Sequence, residues 1–153
     1  LVRKKHKDLR SDQDGAVLVE GVLVLPVLVL FTMGLLEFGS LMWQRQQLQV
    51  GVRDAARYWS RCREILSCDI GTAREIAFYG YPGGASQTRV PGWDDASELS
   101  ISPDLLSLPT LPDIDTTIVL EGSVNYQGTP FFSAVFSDSI QIRYWATMRY
   151  YGW

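Results

Sequence analysis

The stretch Ala16–Trp43, AVLVEGVLVLPVLVLFTMGLLEFGSLMW, decides how this chain is organised. It holds only two charged residues, Glu20 and Glu37, and Gly21 to Leu36 carries none. At about 1.5 Å of rise per residue, a helix of this length reaches roughly 42 Å. The hydrocarbon core of a bilayer needs only about 20 residues. The stretch therefore predicts one transmembrane helix over residues 16–43, with Pro26 removing a backbone donor at mid-span and kinking it.

The flanks set the expected orientation. Arg3, Lys4, Lys5, Lys7 and Arg10 precede the span, against Arg45, Arg53 and Arg57 soon after it. The excess of cations before the helix favours a cytoplasmic N-terminus and an extracytoplasmic remainder, residues 44–153. A secretory signal peptide has the same order of basic and apolar segments. Its apolar region is only about 7–15 residues, however, and a small-x-small cleavage site follows it. Here the apolar run is longer, and Trp43-Gln44-Arg45-Gln46-Gln47 is bulky and polar.

A different processing signal fits better. Residues 1–15 form a short charged leader that ends in Gly15, Ala16 opens the apolar helix, and Glu20 is its fifth residue. This arrangement resembles the class III signal of type IV pilins and their relatives. The resemblance implies cleavage between Gly15 and Ala16 on the cytoplasmic side by a prepilin peptidase, leaving the helix attached. A carboxylate at the centre of a membrane helix costs about 2.5–3.5 kcal/mol on insertion scales, and less near the edge. Glu20 sits near the positive end of its own helix dipole. It would also face the new amine of a neighbouring processed chain. The plainer alternative places Glu20 at headgroup level, in water.

The resemblance extends to a family. Gly15-Ala16, Val19-Glu20, Leu25-Pro26, Glu37-Phe38-Gly39 and Asp54-Ala55-Ala56-Arg57-Tyr58 are similar to the N-terminus of TadE-like proteins, minor pseudopilins of the tight-adherence (Tad or Flp) pilus machinery. Ala77-Phe78-Tyr79-Gly80, Val90-Pro91-Gly92 and Ala146-Thr147-Met148-Arg149-Tyr150 fit more loosely. One departure is Gly21, where many members carry an aromatic residue after the Glu. The resemblance implies a single-pass protein of the bacterial inner membrane, acting as a structural or assembly component beside other pilins, pseudopilins and the pilus machinery. The alternative is an uncleaved single-pass protein whose outer domain binds a partner or senses the envelope.

Beyond the membrane the helix is expected to continue. Leu48, Val52, Ala55, Trp59, Cys62 and Leu66 recur at helical spacing and form an apolar stripe that packs on the C-terminal domain. Arg45, Gln49, Arg53, Arg57 and Arg61 form a polar stripe, expected to be solvated; contact with anionic lipid or an acidic partner is the alternative. Glu37 is expected as a solvated carboxylate near the outer headgroups, with packing against a partner helix as its alternative.

A short helix is expected over Ala73–Tyr79, capped by Thr72 with Glu75 in capping-box spacing and stopped by Gly80. Residues 81–95 and 103–115 are rich in Gly, Pro and Asp and read as loops. Strands are expected at Glu98–Ser102, at Thr116–Tyr126 with Ile118, Leu120, Val124 and Tyr126 on one face, and at Ser139–Tyr151 with Ile140, Ile142, Tyr144, Ala146, Met148 and Tyr150 on one face. Pro130–Phe136 is too apolar for an exposed loop; it is open to capping the core, lying on the membrane or meeting a partner subunit. The fold class expected is therefore α+β and membrane-anchored: a long N-terminal helix packed on a small antiparallel sheet, pilin-like.

Cys62 and Cys68 are six positions apart, about 240° around a continuous helix, so they meet only if the helix ends before Cys68. An oxidising compartment outside the inner membrane favours a disulfide; two reduced thiols are the alternative. Two cysteines without a nearby histidine make an incomplete metal site, and no cofactor is expected. The one histidine, His6, lies in the leader, and no phosphate-binding motif is present, so neither catalysis nor a small-molecule substrate is expected. Without residues 1–15 the chain keeps 9 basic and 14 acidic residues, a net charge of −5 that repels nucleic acid.

Overall fold

A computed structural model describes residues 13–63, 68–84, 87–105, 115–135 and 139–152. The chain divides into two compact units, one ending at Phe38 and the other beginning at Gly39.

Helix α1 spans Gln13–Ser60, with Pro26 inside it. In its first unit the apolar side chains from Val17 to Leu36 are exposed, and no residue of its most apolar 18-residue window is buried. A surface this apolar on an exposed helix is stable only in lipid or against other apolar helices. Thr32 at mid-span donates its hydroxyl to the Leu28 carbonyl at 2.8 Å, which satisfies it without any outside partner.

From Gly39 the same helix supplies one wall of a small core. Leu48, Val52, Ala55, Trp59 and Cys62 are buried, as the apolar stripe requires; Leu66 lies outside the described residues. Helix α2 spans Ile70–Tyr79. It starts three residues before the expected position because Asp69, not Thr72, is its cap: the Asp69 carboxylate accepts from the Thr72 N–H at 3.0 Å. Glu75 is not a capping-box partner either, since it accepts from Gly83 N–H at 2.8 Å. Gly80, at φ 98°, ends the helix in the left-handed conformation as expected.

The sheet is antiparallel with order β1-β2-β3: β1 at Leu99–Ser102, β2 at Thr117–Asn125 and β3 at Gln141–Arg149. A 3-10 turn, Ala96–Glu98, precedes β1. Its cap Asp95 has a pKa held below the usual carboxylate value by hydrogen bonds from the Ser97 N–H and hydroxyl, and secondarily by Arg74. β2 buries Ile118, Leu120 and Val124, with Tyr126 just past its end, on the face turned to α1. On β3, Ile142, Ala146 and the following Tyr150 are buried, while Tyr144 and Met148 are half-buried. Ile140 departs from the expected pattern: it precedes the strand and is exposed. A short helix α3, Pro130–Val135, follows β2. Its Phe132 meets Tyr126 edge-on, with centroids 5.6 Å apart, so this residue caps the core.

Contacts between α1 and the sheet fix their relative direction. The buried Gln44 amide donates to the Gln127 carbonyl at 2.9 Å. One turn on, a Cβ at Gly122 would stand 2.6 Å from Val52 and 3.2 Å from Leu48, so only glycine lets β2 approach this closely. At the far end Tyr150 donates its hydroxyl to the Cys62 carbonyl at 2.9 Å, and Tyr151 N–H donates to the Ser60 carbonyl at 2.9 Å. Arg63 donates to the Gly152 carbonyl. β2 thus runs against α1 and β3 runs with it. These bonds also satisfy carbonyls that a helix leaves open at its C-terminal end. Tyr150→Phe is expected to destabilise the domain by about 1–2 kcal/mol, because the buried Cys62 carbonyl loses its donor. Chemical unfolding of the full chain in detergent, showing no change in midpoint, would remove that role.

Candidate functional site

Gly15, Ala16 and Glu20 all lie on α1 and all are exposed. The described part of α1 starts at Gln13, so the Gly15–Ala16 bond lies within helical backbone rather than ahead of it. Among the described residues, nothing outside the helix's own backbone lies within 4 Å of a Cβ built at Gly15 or Gly21. Ala16 and Glu20 are four residues apart and therefore share a face one turn apart.

Glu37 differs from Glu20. It is only 9% exposed, so the expectation of a solvated carboxylate does not hold.

The arginine stripe is exposed, as a solvated face should be, at Arg45, Arg53, Arg57 and Arg61. Two of its members are nonetheless engaged. Arg53 Nε donates to the Tyr144 hydroxyl at 2.8 Å with its guanidinium over the Tyr144 ring. Arg57 stands 3.7 Å from Asp54, an exposed contact worth little. The stronger partner of Asp54 is Arg89, at 2.8 Å and with only 17% of its side chain exposed. Arg89 N–H also donates to the Phe78 carbonyl, and this ties the loop after α2 to α1. No local signal marked Arg89, since its partner is 35 residues away.

Where α1 ends, Cys62 and Cys68 are joined as a disulfide, with Cα atoms 5.6 Å apart. Together with Arg57, Tyr58 and Arg61 they line a cleft of about 320 Å³. Among the described residues no group of three or more His, Cys, Asp or Glu is placed to hold a metal ion.

Among the described residues one exposed apolar helix is long enough to cross a membrane, and the unit from Gly39 is an α+β fold with a three-stranded antiparallel sheet. Residues 15–57 match the family model described as TadE-like protein, the family that the motifs of α1 resemble. The match begins at Gly15 and covers the apolar helix and the Asp54-Ala55-Ala56-Arg57 motif. No curated protein and no solved structure matches the chain.

Proposed function

We propose that the chain is a minor pseudopilin of a Tad/Flp-type pilus, cleaved after Gly15 by a prepilin peptidase and then held in the bacterial inner membrane as a structural or assembly component. The observation that carries this reading is the coincidence of Gly15-Ala16 and Glu20 on one exposed apolar helix that matches the TadE-like model from Gly15 onward.

The chemistry assigns each residue a part. A peptidase acting on the cytoplasmic side would take Gly15, whose lack of a side chain leaves no bulk beside the bond to be cut. Cleavage converts an amide into an ammonium at Ala16. That charge is poorly placed in an apolar bundle unless a carboxylate meets it, and Glu20 of an adjacent subunit can do so one turn deeper. The exposed apolar residues around Glu20 supply the surface on which pilins, pseudopilins, membrane machinery and lipid would pack. The excess of cations ahead of the span supports a cytoplasmic N-terminus, with residues 44–153 outside.

N-terminal sequencing of membrane-extracted protein tests the reading. A mature start at Ala16 is expected, lost on Gly15→Leu. Glu20→Ala is expected to leave insertion and cleavage intact while surface piliation falls. A leader retained in cells with an active prepilin peptidase would instead assign an uncleaved partner-binding or sensing protein. Normal piliation in Glu20→Ala would remove the amine-pairing role.

A further inference from the structure

We propose that the free edge of β3 receives an extended, acidic segment of another polypeptide as a fourth strand of the sheet. The proposal stands on the sheet alone and does not depend on cleavage after Gly15.

The hydrogen-bond parity of the ladder identifies the edge. Tyr126 N–H donates to the Ile140 carbonyl at 2.7 Å, and Tyr150 N–H donates to the Thr116 carbonyl at 2.9 Å. In an antiparallel pair the backbone groups of successive residues point alternately toward and away from the neighbour. The even-numbered residues of β3 therefore bond to β2. The odd ones, Gln141, Arg143, Trp145, Thr147 and Arg149, turn their N–H and C=O groups outward. Among the described residues no backbone hydrogen bond reaches these outward groups, and all five residues are exposed. The next odd residue, Tyr151, does find a partner in Ser60, so the open row stops where the strand stops.

Edges of this kind are ordinarily blunted by brevity, a bulge, a proline or charged side chains, lysine above all. β3 is long and has no bulge, proline or lysine; the charges it carries are Arg143 and Arg149. It runs nine residues in unbroken one-to-one register with β2. Its outward face also carries Trp145, 66% exposed at the middle of the strand. An aromatic side chain in that position is the kind that anchors an interface.

Charge selects the occupant. Arg143 and Arg149 bracket Trp145 on the outward face. Opposite them on β2 stand Ser123 and Thr117, neither of which is a carboxylate, while Glu121 faces Trp145. Arg143 donates only to its strand-mate Gln141, and Arg149 has no ion-pair partner among the described residues. On the inward face the half-buried Met148 leaves apolar surface at the rim, while the Tyr144 ring lies under the Arg53 guanidinium. A fitting strand thus alternates apolar residues toward α1 with carboxylates toward the two guanidiniums. A second copy's β3 is the wrong occupant. It would bring arginines rather than carboxylates against Arg143 and Arg149.

The test uses the full chain in lipid nanodiscs and two synthetic ten-residue probes, one alternating Val and Glu and the other Val and Lys. Amide exchange is read residue by residue. Without probe, the amides of Arg143, Trp145 and Thr147 are expected to exchange at least tenfold faster than those of Ile142, Tyr144 and Ala146. Saturating Val-Glu probe is expected to slow them at least tenfold, and the Val-Lys probe to leave them unchanged. Arg143→Glu/Arg149→Glu is expected to exchange the two preferences while the β2-facing amides stay protected, which shows the sheet intact. Three outcomes would overturn the proposal: equal protection of both sets without probe, equal slowing by both probes or by neither, and probe-free slowing that grows with protein concentration, which would assign the edge to a second copy.

Discussion

Trp59→Ala is expected to destabilise the folded domain by about 3–5 kcal/mol, the range for losing a large aromatic from a well-packed core. Trp59 is fully buried, and its indole N–H donates to the Pro103 carbonyl at 3.2 Å. Truncation therefore opens a cavity on the core side of α1 and also strips a donor from the backbone just after β1. A domain of this size has total stability on the order of 5–15 kcal/mol, so the loss is a large fraction of it. Trp59→Phe separates the two effects, because it keeps most of the packing and removes only the hydrogen bond. Its cost should be nearer 1–2 kcal/mol. Urea unfolding of the full chain in detergent, read by near-ultraviolet circular dichroism, measures both. A loss below about 1 kcal/mol for the alanine variant would show that the site collapses without a cavity, contrary to the packing described.

The second large effect comes from adding atoms. A Cβ at Gly51 would stand 2.5 Å from the Ala77 carbonyl oxygen and 2.7 Å from the Trp93 ring. The carbonyl belongs to the backbone of α2 and the ring is fully buried, so neither neighbour can yield cheaply. Glycine in a helix interior costs about 1 kcal/mol relative to alanine, so Gly51→Ala gains that much from propensity. The clash is expected to outweigh the gain, since overpacking typically costs about 1–3 kcal/mol and sometimes more. Gly51→Val adds two more carbons to the same space and is expected to lose about 3 kcal/mol or to prevent α2 from docking. The same unfolding measurement decides it. A stabilised alanine variant would mean that α2 shifts freely.

The residues involved explain what could be foreseen. The buried stripe from Leu48 to Cys62 was readable because a helix repeats every 3.6 residues and the partner surface is continuous. Ile118, Leu120, Val124 and Tyr126 were readable because a strand alternates. Ala16 and Glu20 were expected on one helix, and lie on one, because the apolar run around them is continuous. Features made by distant segments were not. The Asp54–Arg89 pair, the fit of Gly122 against Val52 and the Tyr150–Cys62 bond all require the tertiary fold. At α2 two local signals competed. Asp69 and Thr72 both suit a cap, and the carboxylate that reaches the Thr72 N–H prevails. Glu37 was misjudged because burial along a helix depends on neighbours that periodicity does not show.

The parallel course of β3 and α1 has a mechanical consequence. Helix α1 meets Gly122 of β2 through Leu48 and Val52, and residues just past the strands bond to Gln44, to Ser60 at the helix end and to Cys62 beyond it. A pull applied at Gly39 along α1 is directed along the strands, so it loads these attachments together in shear rather than peeling them apart one by one. The chain's last described residues, fastened to the far end of the helix, then act as the stop against which the domain bears tension.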